Sequence, residues 1–272
     1  MFLVHSGDLG RRVLRRIAIG CSASSGSKWA FERLLARLQR RVQRKLKDFA
    51  ELRRQAIAEL KNEGLLKDSN IIRAMEKVPR EEFLPEEARS YAYIDSPIPI
   101  GYGQTTSALH MTALFCEYGE MKLGQRVLEV GGGCGYMSCV YAEVVAPLGQ
   151  TQKAWGHVWS AEIIEQLAAF GRMNIERLGY SERVTFVAAD ASEGLNDVKG
   201  TFDLIIVTSA APEIPNELTR QLNPGGNLII PIGGAQFYQE LFRVRKKMDG
   251  GLSHENLGGV AFVPMRGKRG WH

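Results

Sequence analysis

The 272 residues contain no apolar run that approaches the ~18 residues a membrane-spanning helix needs. The stretch Ile17–Cys21 is also too short for the apolar core of a secretory signal. The four cysteines, Cys21, Cys116, Cys134 and Cys139, form no Cys-x-x-Cys pair and match no zinc or disulfide framework. They read as reduced thiols, so a cytoplasmic location and no metal are expected. No Walker lysine and no Gly-Lys-Ser/Thr occurs, which disfavours a phosphate cradle. No internal repeat is visible. What is present is ordinary globular usage: 44% hydrophobic residues can fill a large core, and they exclude a wholly disordered or collagen-like chain.

Acidic residues are scarce in one place only. Residues 1–47 hold twelve Lys and Arg against Asp8 and Glu32, a formal +10. The remaining 23 bases and 28 acids leave the rest of the chain at −5, so the overall +5 belongs to an N-terminal arm. Any role in nucleic-acid binding must rest on that arm, because a strong basic face on the acidic body is not expected. The arm is Arg-rich, Ser-containing and acid-poor, which also suits a transit peptide. Extension, targeting segment and misplaced start are the open readings, although the next Met is Met75, inside domain-like sequence. The expected division is therefore an arm over 1–47, partly helical or disordered, and a domain over 48–272.

Apolar residues at three- and four-residue steps predict a helix over 29–63, ended by Gly64. Lys67–Asn70 supply caps for a short helix through Met75 and Val78. Pro79, Pro85, Pro97 and Pro99 break the next stretch, and 107–121 reads as helix. Beyond Arg126 the pattern alternates. Strands are expected at 127–130, 158–161, 184–187, 202–208 and 228–231. Helices are expected at 136–145, through Leu178, and at 215–222, the last ended by Asn223-Pro224-Gly225-Gly226. Closing strands are expected at 240–246 and 259–264. Strands alternating with helices at this spacing argue a doubly wound, mostly parallel α/β sheet.

The densest motif is Glu129-Val130-Gly131-Gly132-Gly133-Cys134-Gly135, placed between a strand and a helix. Gly131, Gly133 and Gly135 let backbone pass close to a ligand, although such a loop can also be a mere tight turn. Glu162 closes the second strand, where an acid can accept both ribose hydroxyls. Asp190, followed by Ala191, closes the third, where an acid can meet an adenine amine. Taken singly, each acid also reads as a solvated loop charge. Glu129 beside the glycines would repel a pyrophosphate but suits a cation. S-adenosylmethionine carries a sulfonium and an ammonium and no phosphate, so it is favoured over a dinucleotide.

Several blocks carry a resemblance to the protein-L-isoaspartate O-methyltransferase family over about residues 48–272. They are Val78-Pro79-Arg80-Glu81-Glu82-Phe83-Leu84-Pro85, Tyr91–Asp95, Ile98–Met111, Thr208–Pro215, Gln221–Gly226 and Phe262–Gly267. The resemblance implies a Rossmann-like class I S-adenosylmethionine-dependent methyltransferase fold with an N-terminal helical extension. It implies methyl transfer to the free α-carboxyl of L-isoaspartyl residues in damaged proteins; a monomer is expected, although the sequence does not give the oligomeric state. Departures are Leu109 where the family has Pro, Gly132 where Thr or Ser is commoner, and Ala191 where Gly is usual.

The resemblance also assigns roles. Ser107 matches the family's signature serine and is expected to orient the substrate carboxylate; a helix N-cap is its other reading. Thr106 has the same two readings. Asp95 either orients the loop or substrate amide or caps a turn. His110 resembles the family's cofactor-side histidine, with a purely structural role as the alternative. Cys134 has nothing beside it that marks a nucleophile. The substrate carboxyl ionises near pKa ~4, so no strong general base is needed. A class I methyltransferase acting on RNA or a small molecule competes with this reading, but no Asn/Asp-Pro-Pro-Tyr motif follows the fourth strand. A binding module without turnover is a third reading, opposed by the presence of Ser107, Glu129, Glu162 and Asp190.

Overall fold

The structure, a computed structural model, describes residues 48–235 and 238–271. The part of the predicted first helix over 29–47, and the arm with it, lies outside these residues. The remainder of that helix is present as α1 over 48–62, and it buries Ala56, Ile57 and Leu60. Helix α2, Ser69–Lys77, starts where Asp68 accepts hydrogen bonds from the backbone N–H groups of Asn70 and Ile71 at 2.7 and 3.3 Å. A two-stranded hairpin, β1 (Ile98–Gly101) and β2 (Gln104–Thr106), precedes α3, Leu109–Tyr118.

The central sheet has seven strands: β3 (Arg126–Val130), β4 (His157–Glu162), β5 (Val184–Ala188), β6 (Phe202–Val207), β7 (Leu222–Gly233), β8 (Gln239–Lys246) and β9 (Leu252–Val260). Their order is β5-β4-β3-β6-β7-β8-β9. The first five strands run parallel, and β8 and β9 are antiparallel. Helices α4 (Tyr136–Val145) and α5 (Glu165–Arg177) make the crossovers from β3 to β4 and from β4 to β5; α6 (Asn216–Arg220) joins β6 to β7. Winding reverses between β3 and β6, which opens a crevice at their C-terminal ends.

Residues alternate across the sheet into two cores. Val127, Leu204 and Ile206 pack under α1–α5, while Leu128, Val130, Ile205 and Val207 face α6 and Met265. The layers are unequal, since residues 189–201 connect β5 to β6 without a helix. One buried charge cluster ties three elements on the helical face. Glu143 of α4 accepts from Lys77 of α2 at 2.8 Å and from Arg183, just before β5, at 2.9 Å. The Glu143 and Arg183 side chains are only 1% and 3% exposed.

Three expectations need correction. The last strand is Leu252–Val260, not 259–264, because the chain turns back at Asp249–Gly251 to pair with all of β8. The Asn223–Gly226 segment does not follow a helix into a loop. It lies inside β7, where the register slips between Phe202 and Leu204 of β6 and the extra residues bulge out. The helix read at 107–121 begins only at Leu109, and its flanking residue Ala108 makes no side-chain cap.

Burial alone would raise the pKa of Glu143, but the Lys77 and Arg183 hydrogen bonds and charges outweigh it and hold the carboxyl below its usual range. Its stabilising contribution is therefore complete above the ordinary carboxylate range and is lost as pH falls through the depressed value. Replacing Arg183 with Met should cost about 3–5 kcal/mol at pH 7, because it strands a buried carboxylate with one partner. Urea unfolding at pH 7 and pH 4 checks this: the loss should shrink at the lower pH, and an equal loss at both would contradict it.

Candidate active site

The crevice is built on the backbone turn after β3. Gly131 and Gly132 both donate to the Ala161 carbonyl, at 2.8 and 3.0 Å. Gly131 has φ +97, and a Cβ there would lie 2.4 Å from Thr208 Oγ1. Thr208 donates its hydroxyl to the Gly131 carbonyl at 2.6 Å, so the turn is clamped from the β6 side as well. At Gly132 a Cβ would meet Ser160 Oγ at 2.2 Å and the Phe186 ring at 2.6 Å, a local reason for glycine there. Gly135 opens α4 in the left-handed conformation.

A cleft runs along the strand ends, lined by Gly131, Gly133, Glu162, Asp190, Ala191, Thr208, Met265 and Arg266 among others. Glu162 is buried, and its two oxygens accept the Gly133 N–H at 3.0 Å and the Ile164 N–H at 2.9 Å. A carboxylate oxygen accepts more than one hydrogen bond, so both keep capacity for a diol. Asp190 accepts the N–H groups of Ser192 and Lys268, each at 2.9 Å. Burial pushes its pKa up, but these hydrogen bonds and the Lys268 charge prevail and hold it below the ordinary value, so it is ionised at neutral pH.

Beneath the glycine turn lies a smaller cavity, between Thr105–Ser107 of the hairpin side and Glu129, Cys134 and Tyr136. Glu129 is 1% exposed. Its Oε2 accepts the hydroxyls of Ser138 and of Ser160, the latter at 2.7 Å, while Oε1 is buried with no partner among the described residues. Burial pushes its pKa up to about 7, against the lowering effect of the two serines. An ammonium group would satisfy the orphaned oxygen and favour the ionised form. Burial also pushes the Cys134 thiol up, which keeps it neutral.

A third, more open cavity is lined by Pro97, Ser107, His110, Met111, Tyr238 and Phe262, with neighbours from the loop after β9. Ser107 borders both this cavity and the inner one, and Thr105 and Thr208 border all three. His110 lines this third cavity and is not among the residues of the cleft that holds Glu162 and Asp190. Asp95 accepts the His110 N–H at 2.9 Å, and its other oxygen lies 2.8 Å from His110 Nδ1. Asp95 thus caps the first turn of α3 and orients the imidazole, the role that Ser107 and Thr106 do not play. Thr106 is buried on the wall of the inner cavity.

Sequence reasoning missed Thr105, Thr208 and the segment Met265–Lys268 as parts of the site. Thr208 ends the fourth strand, at the same level as Glu162 and Asp190, and that strand-end position was the available signal. Met265 and Arg266 gave none, because they reach the cleft only through the packing of the C-terminal segment. That segment is anchored by Met265 N–H to the Ala210 carbonyl at 2.8 Å and by Trp271 Nε1 to the same carbonyl at 3.1 Å. Among the described residues no cluster of three His, Cys, Asp or Glu could hold a metal ion.

A family model described as protein-L-isoaspartate(D-aspartate) O-methyltransferase matches residues 51–270. A protein-L-isoaspartate O-methyltransferase of Hyperthermus butylicus is 48% identical over 223 residues, covering 82% of this chain and 92% of that protein. One from Methanothermobacter thermautotrophicus is 43% identical, covering 80% and 97%. A solved structure from Plasmodium falciparum, described as a protein-L-isoaspartate O-methyltransferase in complex with S-adenosyl-L-homocysteine, superposes with TM-score 0.67 at 30% identity. It covers 78% of this chain and 96% of that one.

Two substitutions test the geometry. The unfolded-state carboxyl of Glu129 ionises near 4.5 and the folded one near 7. The folded state therefore loses stability as pH rises between those values, and the deficit is complete above 7. Glu129→Gln should raise unfolding free energy by about 2–4 kcal/mol at pH 8.5 and by much less at pH 5; denaturant titrations that show one gap at both values would reject this. Gly131→Ala should cost about 1–3 kcal/mol, since a side chain at that φ is strained and must displace Thr208. A melting temperature equal to the parent's would show that the turn is not clamped.

Proposed function

The chain belongs to the protein-L-isoaspartate O-methyltransferase family, and on that premise we propose how its adjoining cavities divide the work. It is an S-adenosylmethionine-dependent enzyme of protein repair, transferring a methyl group to the free α-carboxyl of L-isoaspartyl residues in damaged proteins. The neighbouring backbone amide nitrogen then attacks the methyl ester and expels methanol. The resulting succinimide hydrolyses in part to normal aspartate, and that stage needs no enzyme.

The observation that carries the assignment of residues is the orphaned Oε1 of Glu129 in a cavity that adjoins the cleft of Glu162 and Asp190. These residues fit the cofactor. Glu129 would hold its ammonium, Glu162 its ribose hydroxyls and Asp190, with Ala191 beside it, the adenine amine. Gly131, Gly133 and Gly135 bring backbone close along its length. When bound, S-adenosylmethionine supplies an electrophilic methyl group on a sulfonium. The isoaspartyl residue enters from the open third cavity, on whose wall Ser107 and His110 stand.

Ser107 has the position to orient the substrate carboxylate, because it borders the open cavity and the inner one at once. A hydroxyl donates to a carboxylate without taking its charge. Thr106 shapes the inner wall, while Asp95 acts indirectly, by setting the turn and the imidazole of His110. The carboxylate is already ionised at neutral pH, so the residues need only align it and exclude water.

The finer organisation rests on several supports. The family match begins at residue 51 and one compact unit spans Ala50–His272, in keeping with a catalytic body over 48–272 and a separate basic arm over 1–47. Cys116, Cys134 and Cys139 are free, as a reducing cytoplasm requires. No helix among the described residues is long and apolar enough to cross a membrane. Any contact with nucleic acid would be made by the arm.

Methyl-labelled S-adenosylmethionine offered with an isoaspartyl peptide and with its normal aspartyl twin tests the activity. Base-labile label should appear on the isoaspartyl peptide alone; label on both, or on neither, would overturn the substrate assignment. Ser107→Ala should lower kcat about 10- to 100-fold, the worth of one hydrogen bond to a charged group, while cofactor Kd changes less than about threefold. Unchanged turnover would mean that Ser107 does not orient the carboxylate.

A further inference from the structure

Arg80 is the largest fully buried side chain of the described residues, with no exposed surface. A guanidinium is always charged, and burying it without a carboxylate partner is costly. Its Nη2 donates to the Ser107 carbonyl at 2.8 Å, while Nε and Nη1 are buried with no hydrogen-bond partner among the described residues. The guanidinium carbon stands 5.0 Å from the centroid of the Tyr136 ring. Tyr136 is the first residue of α4, next to the glycine turn, and it lines the inner cavity together with Thr106 and Ser107.

The 3-10 turn that carries Arg80 is itself pinned. The Arg80 N–H donates to the Tyr93 hydroxyl at 3.2 Å, and Tyr93 donates in turn to Glu81. Nearby, Asn174 of α5 donates to both the Phe83 and the Cys134 carbonyls, at 3.4 and 3.0 Å. Arg80 is thus held from the turn between α2 and the hairpin, and it spans from the Ser107 backbone to the residue that opens α4. These are the two walls of the inner cavity. A packing residue in this place would be apolar; a charge aimed at one carbonyl, with its other nitrogens unsatisfied, serves a different end.

We propose that Arg80 is a positioning residue for methyl transfer: it fixes the Ser107 peptide unit so that the Ser107 hydroxyl meets the substrate carboxylate. This rests on the reading that Ser107 orients that carboxylate. The Coulombic attraction of the uncompensated guanidinium for the Ser107 carbonyl is strong in a low-dielectric surrounding and gives the segment one orientation. The cofactor residues Glu162 and Asp190 are held on other elements, and Glu129, across the inner cavity from Ser107, is held by the Ser138 and Ser160 hydroxyls rather than by Arg80. Loss of Arg80 should therefore separate the two binding functions.

The test is a double-substitution cycle in the full chain, with Arg80→Met, Arg80→Lys and Ser107→Ala. Kinetics with an isoaspartyl peptide are run well below each variant's melting temperature, and S-adenosylhomocysteine binding is measured by calorimetry. Arg80→Met should lower kcat/KM for the peptide about 30- to 100-fold with S-adenosylhomocysteine Kd within about threefold. Arg80→Lys, which keeps a donor and the charge, should recover at least about tenfold of that loss. In the Ser107→Ala background either change should cost less than about threefold more.

Equal losses of peptide turnover and S-adenosylhomocysteine affinity would mean general loosening and overturn the inference. So would a full, additive Arg80 effect in the Ser107→Ala background, which leaves the Ser107 role standing. If Ser107→Ala alone turns over normally, the reading of Ser107 falls and the Arg80 inference falls with it. Should Arg80→Met not fold, Arg80→Lys in the two backgrounds decides by the same comparison.

Discussion

Everything at the site depends on the backbone reversal after Val130. The chain leaves β3, donates two successive N–H groups to one carbonyl at the end of β4, and is clamped from the other side by the Thr208 hydroxyl at the end of β6. Only a residue without a Cβ fits between those neighbours. The reversal brings Gly133 N–H onto Glu162, sets the start of α4, and leaves Glu129 buried underneath. Parallel pairing of β4, β3 and β6 is what places the three strand ends at one level, and the change of winding at β3 keeps helices from covering them.

Buried charge is handled in two ways in this molecule. Glu143 is surrounded by cations, so its burial is offset and it contributes to stability. Glu129 and Arg80 are not offset in the same way: each has polar atoms with no partner among the described residues, and each stands at the inner cavity or just behind its wall. A stability-optimised core would not keep such groups. The contrast separates the charges that hold helices together from Glu129, whose second oxygen faces no donor, and from Arg80, whose side-chain hydrogen bond goes to the Ser107 carbonyl.

The elements with a strong period were readable in the sequence. Val127–Val130 and Phe202–Val207 are short, mostly apolar runs of the kind that parallel strands buried on both faces have, while Val184–Val187 alternates, as an edge strand with one buried face does. Asp68, with its side chain two and three residues before the N–H groups it caps, marked the start of α2. The edge strand Leu252–Val260 was not readable, because its nine residues are nearly all exposed and carry no alternation. The bulge at Asn223–Gly226 was misplaced for a related reason. Asn-Pro-Gly-Gly is a turn sequence, and only pairing with β6 on both sides of it shows that the strand continues. Glu129, Glu162 and Asp190 were found because acids at strand ends stand out beside a glycine turn. Thr208 was passed over because a threonine there carries no such signal until its hydroxyl is seen against the Gly131 carbonyl.

The sequence by itself determined the class of fold, the glycine turn, the acids around it and the family. Each of these is local: a period, a spacing, or a run of residue types within one stretch of chain. The tertiary structure alone decided which groups share a cavity and which are left without partners. Ser107 stands between two cavities, Asp95 caps α3 and holds His110, and residues at the far C-terminal end complete the cleft through Lys268 on Asp190. Burial, the effect that raises the Glu129 carboxyl to about 7 and leaves Arg80 without a counter-charge among the described residues, comes from every element packed around a residue, and no local pattern encodes it.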